Sequence, residues 1–341
     1  MKIQKAELLA ALDKVKPGLA TIDRIEQATH FAFMGDRVVT YNDEISVSCK
    51  VAGMDLTGAV DAKHLYAFLN KVKKPELITE TTDNEIRLKV GKGTAGLAFM
   101  DEVTLPLHEL GEIDKWSALP NGFMDALLFC RFSCFKNMSR PILTCVHVGS
   151  DFVESCDNTR LTYLLLNEKN PVPDFLIPGS TVSLLAKYDV SKIATSEGWV
   201  HFQTADGGLT FSCRVFEDNY PDTTAIREEV EGATEVILPK DLPTVLGKVE
   251  VFAHNEEENK DRTEIKLSKK KFTVRSQNQV GWYEETLPVR YTGEELRFKT
   301  NPAFLVDMLS KTDRCAIGEK KIRFGAVEED GWTHIIALPF G

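Results

Sequence analysis

Ala11-Leu12-Asp13-Lys14 sets a basic residue three places after the first of two adjacent apolar residues. The pattern returns as Phe68-Leu69-Asn70-Lys71, Leu128-Phe129-Cys130-Arg131, Leu184-Leu185-Ala186-Lys187, Val245-Leu246-Gly247-Lys248 and Met308-Leu309-Ser310-Lys311. From Lys14 to Lys311 the steps are 57, 60, 56, 61 and 63 residues. One such tetrapeptide carries no information, but six at a period of about 60 read as one supersecondary unit used six times. On a helix, positions i and i+3 are neighbours on one flank, so each copy sets its cation at the rim of the apolar stripe that seats the helix. A symmetric arrangement of the six units would gather these cations on one surface.

The unit reads as a helix followed by short strands. Residues 6–15 carry apolar side chains at 8, 9, 11, 12 and 15, a helical period, and Pro17-Gly18 ends the run. Strand-like stretches follow at 29–34, 37–41, 45–51 and 55–60. The second unit has its helix at 63–72, ended by Pro75, and strands at 76–80, 85–90 and 96–99. Further helices are expected near 122–136, 181–194, 240–252 and 302–311. Gly198-Trp199, Gly281-Trp282 and Gly331-Trp332 each open an alternating run, which predicts Gly as the turn and Trp as a buried anchor. A unit of about 60 residues buries too little surface to stand alone, whereas two make a domain of ordinary size. Alternate cations lie 117 residues apart, 14 to 131 to 248. The expected fold class is therefore α+β, mostly antiparallel sheet with helices to one side. It divides into three similar domains of two units each, at 1–116, 117–230 and 231–341.

Bulk composition fits a globular protein: 341 residues, 43% hydrophobic and 27% charged. No apolar run approaches the roughly 18 residues that would cross a bilayer, and charges interrupt the N-terminal apolar stretch, unlike a secretory signal. Seven cysteines at irregular spacing read as reduced, buried thiols, so a cytoplasmic location with no membrane partner is expected. The net charge of −10 argues against a protein that coats nucleic acid. Its distribution is uneven, however. Lys63, Lys71, Lys73 and Lys74 cluster, while acids gather at Glu228-Glu229-Val230-Glu231, Glu256-Glu257-Glu258 and Glu328-Glu329-Asp330. An acidic exterior with a confined basic surface fits a protein that meets DNA in one place, although solvated helix faces would look the same.

No catalytic, metal or cofactor constellation emerges. Gly91-Lys92-Gly93-Thr94 lacks the phosphate-loop frame and reads as a hairpin turn. Cys130 and Cys134 have no nearby histidine to complete a zinc site. His201 and His334 fall in strands, and Glu284 and Glu285, adjacent on a strand, point to opposite faces. The expectation is a non-enzyme without cofactors.

Four further stretches give the chain a likeness. Ser139-Arg-Pro-Ile-Leu-Thr144, Glu154-Ser-Cys-Asp-Asn-Thr-Arg-Leu161, Arg214-Val-Phe-Glu-Asp-Asn-Tyr-Pro-Asp222 and the segment 293–309 resemble, in order and spacing, segments of the bacterial DNA polymerase III β subunit, the replicative sliding clamp. The resemblance covers essentially the whole chain. It implies a head-to-tail homodimeric ring, helices lining the hole, and a processivity factor that encircles duplex DNA without sequence preference and tethers the replicative polymerase. It also implies an ATP-driven clamp loader as a partner. Asn158-Thr159 replaces the usual Gly-His, Ala225 stands where Arg is common, and Gly341 closes the chain without a basic residue, which fits a divergent, phage-encoded member.

The repeat and the resemblance together nominate Lys14, Lys71, Arg131, Lys187, Lys248 and Lys311 for DNA. Lys73 and Lys74 join them from the basic cluster, and the resemblance adds Arg24, Lys136, Asn137 and Arg140. It also places a partner-peptide pocket at Leu143, Cys156, Asn158, Thr159, Arg160, Leu161, Pro221, Ile226, Leu338, Pro339 and Phe340, with Arg160 as a receiver for a peptide carbonyl or carboxylate. The subunit seam it implies pairs 96–99 with 263–267, aided by Glu284 and Glu285. The rival readings are a β-rich peptide-binding adaptor without a DNA role, and an enzyme with an undetected hydrolytic site.

Overall fold

The computed structural model describes residues 1–22, 24–82, 84–228, 232–255 and 260–338. Its helices are α1 (Lys5–Val15), α2 (Ala62–Lys71), α3 (Phe123–Cys130), α4 (Gly179–Leu185), α5 (Thr224–Arg227), α6 (Leu242–Glu250), α7 (Pro302–Leu309) and α8 (Val327–Asp330). All but the single-turn α5 and α8 fall at the six repeats. Local chemistry sets their ends. In α1, Leu8, Ala11, Leu12 and Val15 form the buried stripe and Pro17 lies in the closing turn, Lys16–Gly18. Asp61 caps α2 by accepting the His64 N–H at 2.8 Å. Asn301 caps α7 through the Ala303 N–H at 2.9 Å, with Pro302 in the first helical position.

Two helices are shorter than their apolar runs suggest. α3 ends at Cys130 and tightens into a 3-10 turn, Arg131–Ser133. The helix expected over 181–194 stops at Leu185, and Val190–Ser196 is a strand. That segment pairs with Trp199–Thr204 across a turn at Gly198, whose φ of 71° is open to glycine. Tertiary pairing overrides the local apolar spacing there.

The chain forms two compact units, residues 1–121 with 170–217 and residues 122–169 with 218–341. The expected middle stretch, 117–230, is thus shared between them. In the first unit a twelve-stranded antiparallel sheet runs Lys2–Gln4, Glu76–Thr82, Glu85–Val90, Gly93–Met100, Leu56–Asp61, His30–Gly35, Arg37–Tyr41, Ile45–Lys50, Leu209–Arg214, Trp199–Thr204, Val190–Ser196 and Ser117–Ala118. Helices α1 and α2 pack on this sheet and on each other, where the Tyr66 hydroxyl donates to Asp13 Oδ1 at 2.6 Å. Gly91-Lys92 is the turn between Glu85–Val90 and Gly93–Met100, as expected.

In the second unit one sheet runs Cys145–Val148, Phe152–Cys156, Arg160–Leu165, Trp332–Ala337, Lys321–Phe324, Arg314–Ile317 and Thr234–Ile237. A four-stranded sheet runs Trp282–Pro288, Lys271–Gln277, Thr263–Ser268 and Leu296–Thr300. Helix α3 covers the first of these sheets, α6 the second, and α6 packs against α7.

Two expectations are overturned here. Residues 263–267 are no sheet edge: Thr263–Ser268 is paired on both sides, and Ile265 is fully buried. The strand order of a sheet is non-local and cannot be read from a single strand. The true edges are Trp282–Pro288 and Leu296–Thr300. By contrast, Gly93–Met100 pairs with Leu56–Asp61 only at Phe99 and Met100, which leaves 93–98 open on that side. The second concerns Trp282, which is 59% exposed on its edge strand, whereas Trp199 is buried as expected.

Candidate nucleic-acid interface and peptide cleft

The six repeat cations all stand at helix C-termini. Lys14, Lys71 and Lys248 lie in the last turns of α1, α2 and α6; Arg131, Lys187 and Lys311 follow α3, α4 and α7 within two residues. A helix C-terminus carries partial negative charge, so a cation there also stabilises the helix modestly. In the first unit Lys14 and Lys187 line one cleft of about 670 Å³, together with Lys16, Asp13, Tyr188 and Thr204. The Tyr188 hydroxyl donates to the Lys14 carbonyl at 2.5 Å and ties the α4 turn to the end of α1. In the second unit the Lys311 ammonium sits 5.6 Å from the centre of the Phe129 ring on α3, two residues before Arg131. All five lysines are exposed. Lys14, Lys71, Lys187 and Lys311 make no ion pair among the described residues, whereas Lys248 Nζ lies 2.9 Å from Glu285 Oε2.

The nominated loop cations are also exposed: Arg24, Lys73, Lys74, Lys136 and Arg140. Asn137 turns back on its own loop, accepting the Ser139 N–H at 2.8 Å. Arg140 Nη1 donates to Asn158 Oδ1 at 2.7 Å, which joins a nominated DNA residue to a nominated pocket residue.

The pocket residues divide. Leu143, Cys156 and Leu161 do come together, in one apolar cluster with Ile335, flanked by Phe135, Ile142 and Tyr220. The Tyr220 hydroxyl accepts the Cys156 N–H at 2.8 Å, and Thr223 donates to the buried Glu154 carboxylate at 2.5 Å, so the 218–223 segment is held against the sheet. Burial raises the Tyr220 hydroxyl pKa far above its ordinary value. Pro221 within this segment and Ile226 just after it are exposed. Leu338 lies elsewhere, in the larger core with Val236, Leu238 and Ile336. Pro339 and Phe340 lie outside the described residues.

Arg160 is already engaged within the chain. It is buried, its Nε 3.1 Å from Asp157 Oδ2 and its Nη1 3.1 Å from Asp307 Oδ2 on α7. Its guanidinium also stacks 3.9 Å above the Phe304 ring. Two carboxylates thus meet this arginine, which braces the 157–160 turn against α7. Sequence reasoning missed Ile335, Tyr220 and Asp307. Ile335 is cross-strand from Leu161, and only the pairing register reveals it.

The cysteines are all buried and none forms a disulfide. Burial pushes the Cys134 thiol up to about 12 and Cys145 to about 11, which makes them poor nucleophiles. Among the described residues no group of three or more His, Cys, Asp or Glu side chains is placed to hold a metal ion, and no helix is long and apolar enough to cross a membrane.

No family model and no curated protein matches the chain. Solved structures do. The DNA polymerase III beta chain of Streptococcus pneumoniae superposes with a TM-score of 0.85 at 17% identity, covering 100% of this chain and 99% of that one. The Bacillus subtilis sliding clamp gives 0.83 at 19% identity, covering 100% and 98%. The Pseudomonas aeruginosa sliding clamp, solved bound to griselimycin, gives 0.83 at 15% identity, covering 100% and 99%. The chain has the sliding-clamp fold. Within that fold the Asn158-Thr159 departure is accommodated locally. Neither residue has positive φ, so no glycine is required. Asp157 Oδ1 accepts the N–H groups of Thr159 and Arg160 at 2.7 and 2.9 Å, closing the turn.

Proposed function

We propose that this chain is a DNA polymerase processivity factor, a sliding clamp that joins a second copy head to tail in a ring around duplex DNA. In this reading each copy has three similar domains, 1–116, 117–230 and 231–341. The observation that carries it is the recurrence of a cation at the end of six helices, exposed in the five lysines and partly buried in Arg131, in a chain with the clamp fold over its whole length. Clamp function is topological: once closed, the ring cannot leave the duplex sideways. Its contacts must then be weak and sequence-blind, and phosphate attraction by exposed lysines meets that need.

Ring closure would join two open sheet edges, 93–98 of one copy and Trp282–Pro288 of the other, in place of the 263–267 strand. Unpaired edges demand cover. Around the second edge Val251, Val280 and Trp282 are 70%, 91% and 59% exposed, an apolar component suited to burial by a partner copy. The replicative polymerase would dock a peptide over Leu143, Cys156 and Leu161, and an ATP-driven loader would open the ring. No catalytic residue or cofactor is needed for this work, and a cytoplasmic site of action follows from it. A β-rich adaptor would share the peptide cleft but not the ring. The test is retention on DNA after loading: a clamp stays on nicked circular duplex and runs off the linearised form, and negative-stain images show a central hole. Equal loss from both forms, with a monomeric mass, would sink the reading.

A further inference from the structure

Lys248 differs from the other four repeat lysines, and the difference is built by the edge strand of its own sheet. Along Trp282–Pro288 the residues Tyr283, Glu285 and Leu287 alternate with the more exposed Trp282, Glu284 and Thr286, and α6 packs on this strand. Lys248 Nζ meets Glu285 Oε2 at 2.9 Å. The Tyr283 hydroxyl donates to the same oxygen, and the Lys248 ammonium lies 5.7 Å from the centre of the Tyr283 ring. One carboxylate oxygen is thereby fixed by two donors, and one cation by a carboxylate and an aromatic face. Glu284 is engaged separately, with Arg275 at 3.4 Å. Within one chain, then, each of the two glutamates already faces a cation.

We infer that Tyr283 and Glu285 form a clip that withholds Lys248 from DNA and so tunes the grip of the channel downward at this one position. The inference rests on the clamp reading and refines it, since a sliding ring is served by limiting the number of phosphates held at once. The pair is partly solvent-exposed, so the clip is weak and reversible. Its release should raise affinity by no more than about fivefold.

The experiment measures affinity for a short linear duplex of mixed sequence over a series of potassium chloride concentrations. Glu285→Gln should steepen the dependence of log K on log salt by roughly 0.9, the increment for one more phosphate contact. Tyr283→Phe should move it in the same direction but less. Lys248→Ala should leave the wild-type slope unchanged, yet cancel the gain when combined with Glu285→Gln, which is the interaction term of a double-mutant cycle. Sedimentation and thermal melting of each variant establish that the assembly is intact. A slope unaltered by Glu285→Gln, while Lys14→Ala lowers it, overturns the clip and leaves the clamp standing. If Lys14→Ala also has no effect, the DNA reading itself has failed.

Discussion

The cleft between Lys14 and Lys187 and the cluster around Leu143 and Leu161 use polar groups in opposite ways. At the first, the two ammonium groups make no ion pair among the described residues, and the nearby hydrogen bond from Tyr188 fixes backbone rather than charge. At the second, nearly every polar group near the apolar floor is committed to the scaffold: Arg160 to two aspartates, Tyr220 to Cys156, Thr223 to Glu154. In the proposed clamp, a surface along which DNA would move is served by charge left in water, and one that would seat a peptide by a floor ordered before the peptide arrives.

This contrast can be broken most forcefully at Arg160. Arg160→Ala removes the buried cation shared by Asp157 and the partly exposed Asp307, and because Asp307 keeps water beside it the cost is set at the low end for such a set, about 3 kcal/mol. Urea unfolding should show that loss, and a change under 1 kcal/mol would mean the brace is ornamental.

A middle-sized effect is expected from acid. Burial holds the His334 pKa down to about 3 and that of His201 down to about 4, so both are neutral in the folded protein near neutrality. The unfolded chain takes up these protons below about pH 6.5. The unfolded state then binds more protons than the folded one, so stability falls as pH drops from about 6.5 towards 4, by up to about 1.4 kcal/mol per pH unit for each histidine. His334 hydrogen-bonds Thr162 at 2.8 Å behind the cluster, whereas His201 sits between Ser196 and Ser212 in the first unit. His334→Asn should flatten the slope of stability against pH between 4 and 6.5, and an unchanged slope would show that other groups set it.

The smallest effect on stability belongs to the cleft. Lys14→Ala with Lys187→Ala should alter unfolding by no more than about 0.5 kcal/mol. The same pair should lower the salt slope of duplex binding by roughly 0.9 for each lost phosphate contact. A large loss of stability instead would class these lysines with Arg160.

Much of this was legible in the sequence, and the reason differs by feature. Helix positions were, because the apolar-apolar-x-cation pattern marks where a stripe ends and the chain turns away. Strands were too: Gly and Asn turns bracket the β-branched run Arg37–Tyr41 and the alternating run Glu85–Val90. The overlong helix at 181–194 failed because Val190 and Ile193 fit either periodicity until a partner strand is known. Sheet order was not legible at all, which is why Thr263–Ser268 was mistaken for an edge and Trp282 for a core residue. At the sites, residue types were readable but commitments were not. Nothing in the spacing of Arg160 and Asp307, or of Lys248 and Glu285, announces that they pair.

The ladder between Ile45–Lys50 and Leu209–Arg214 has a mechanical meaning. Its five registered pairs, from Ile45↔Cys213 to Cys49↔Leu209, fasten segments more than 150 residues apart in the chain. Pulling on such a ladder loads its hydrogen bonds together rather than singly, so this part of the molecule is stiff. A force meant to bend the chain would meet less resistance wherever elements are joined by side chains alone. Hydrogen exchange should report the same ranking: the amides of this ladder among the slowest in the first unit, and those of the 93–98 strand among the quickest to exchange in the isolated chain.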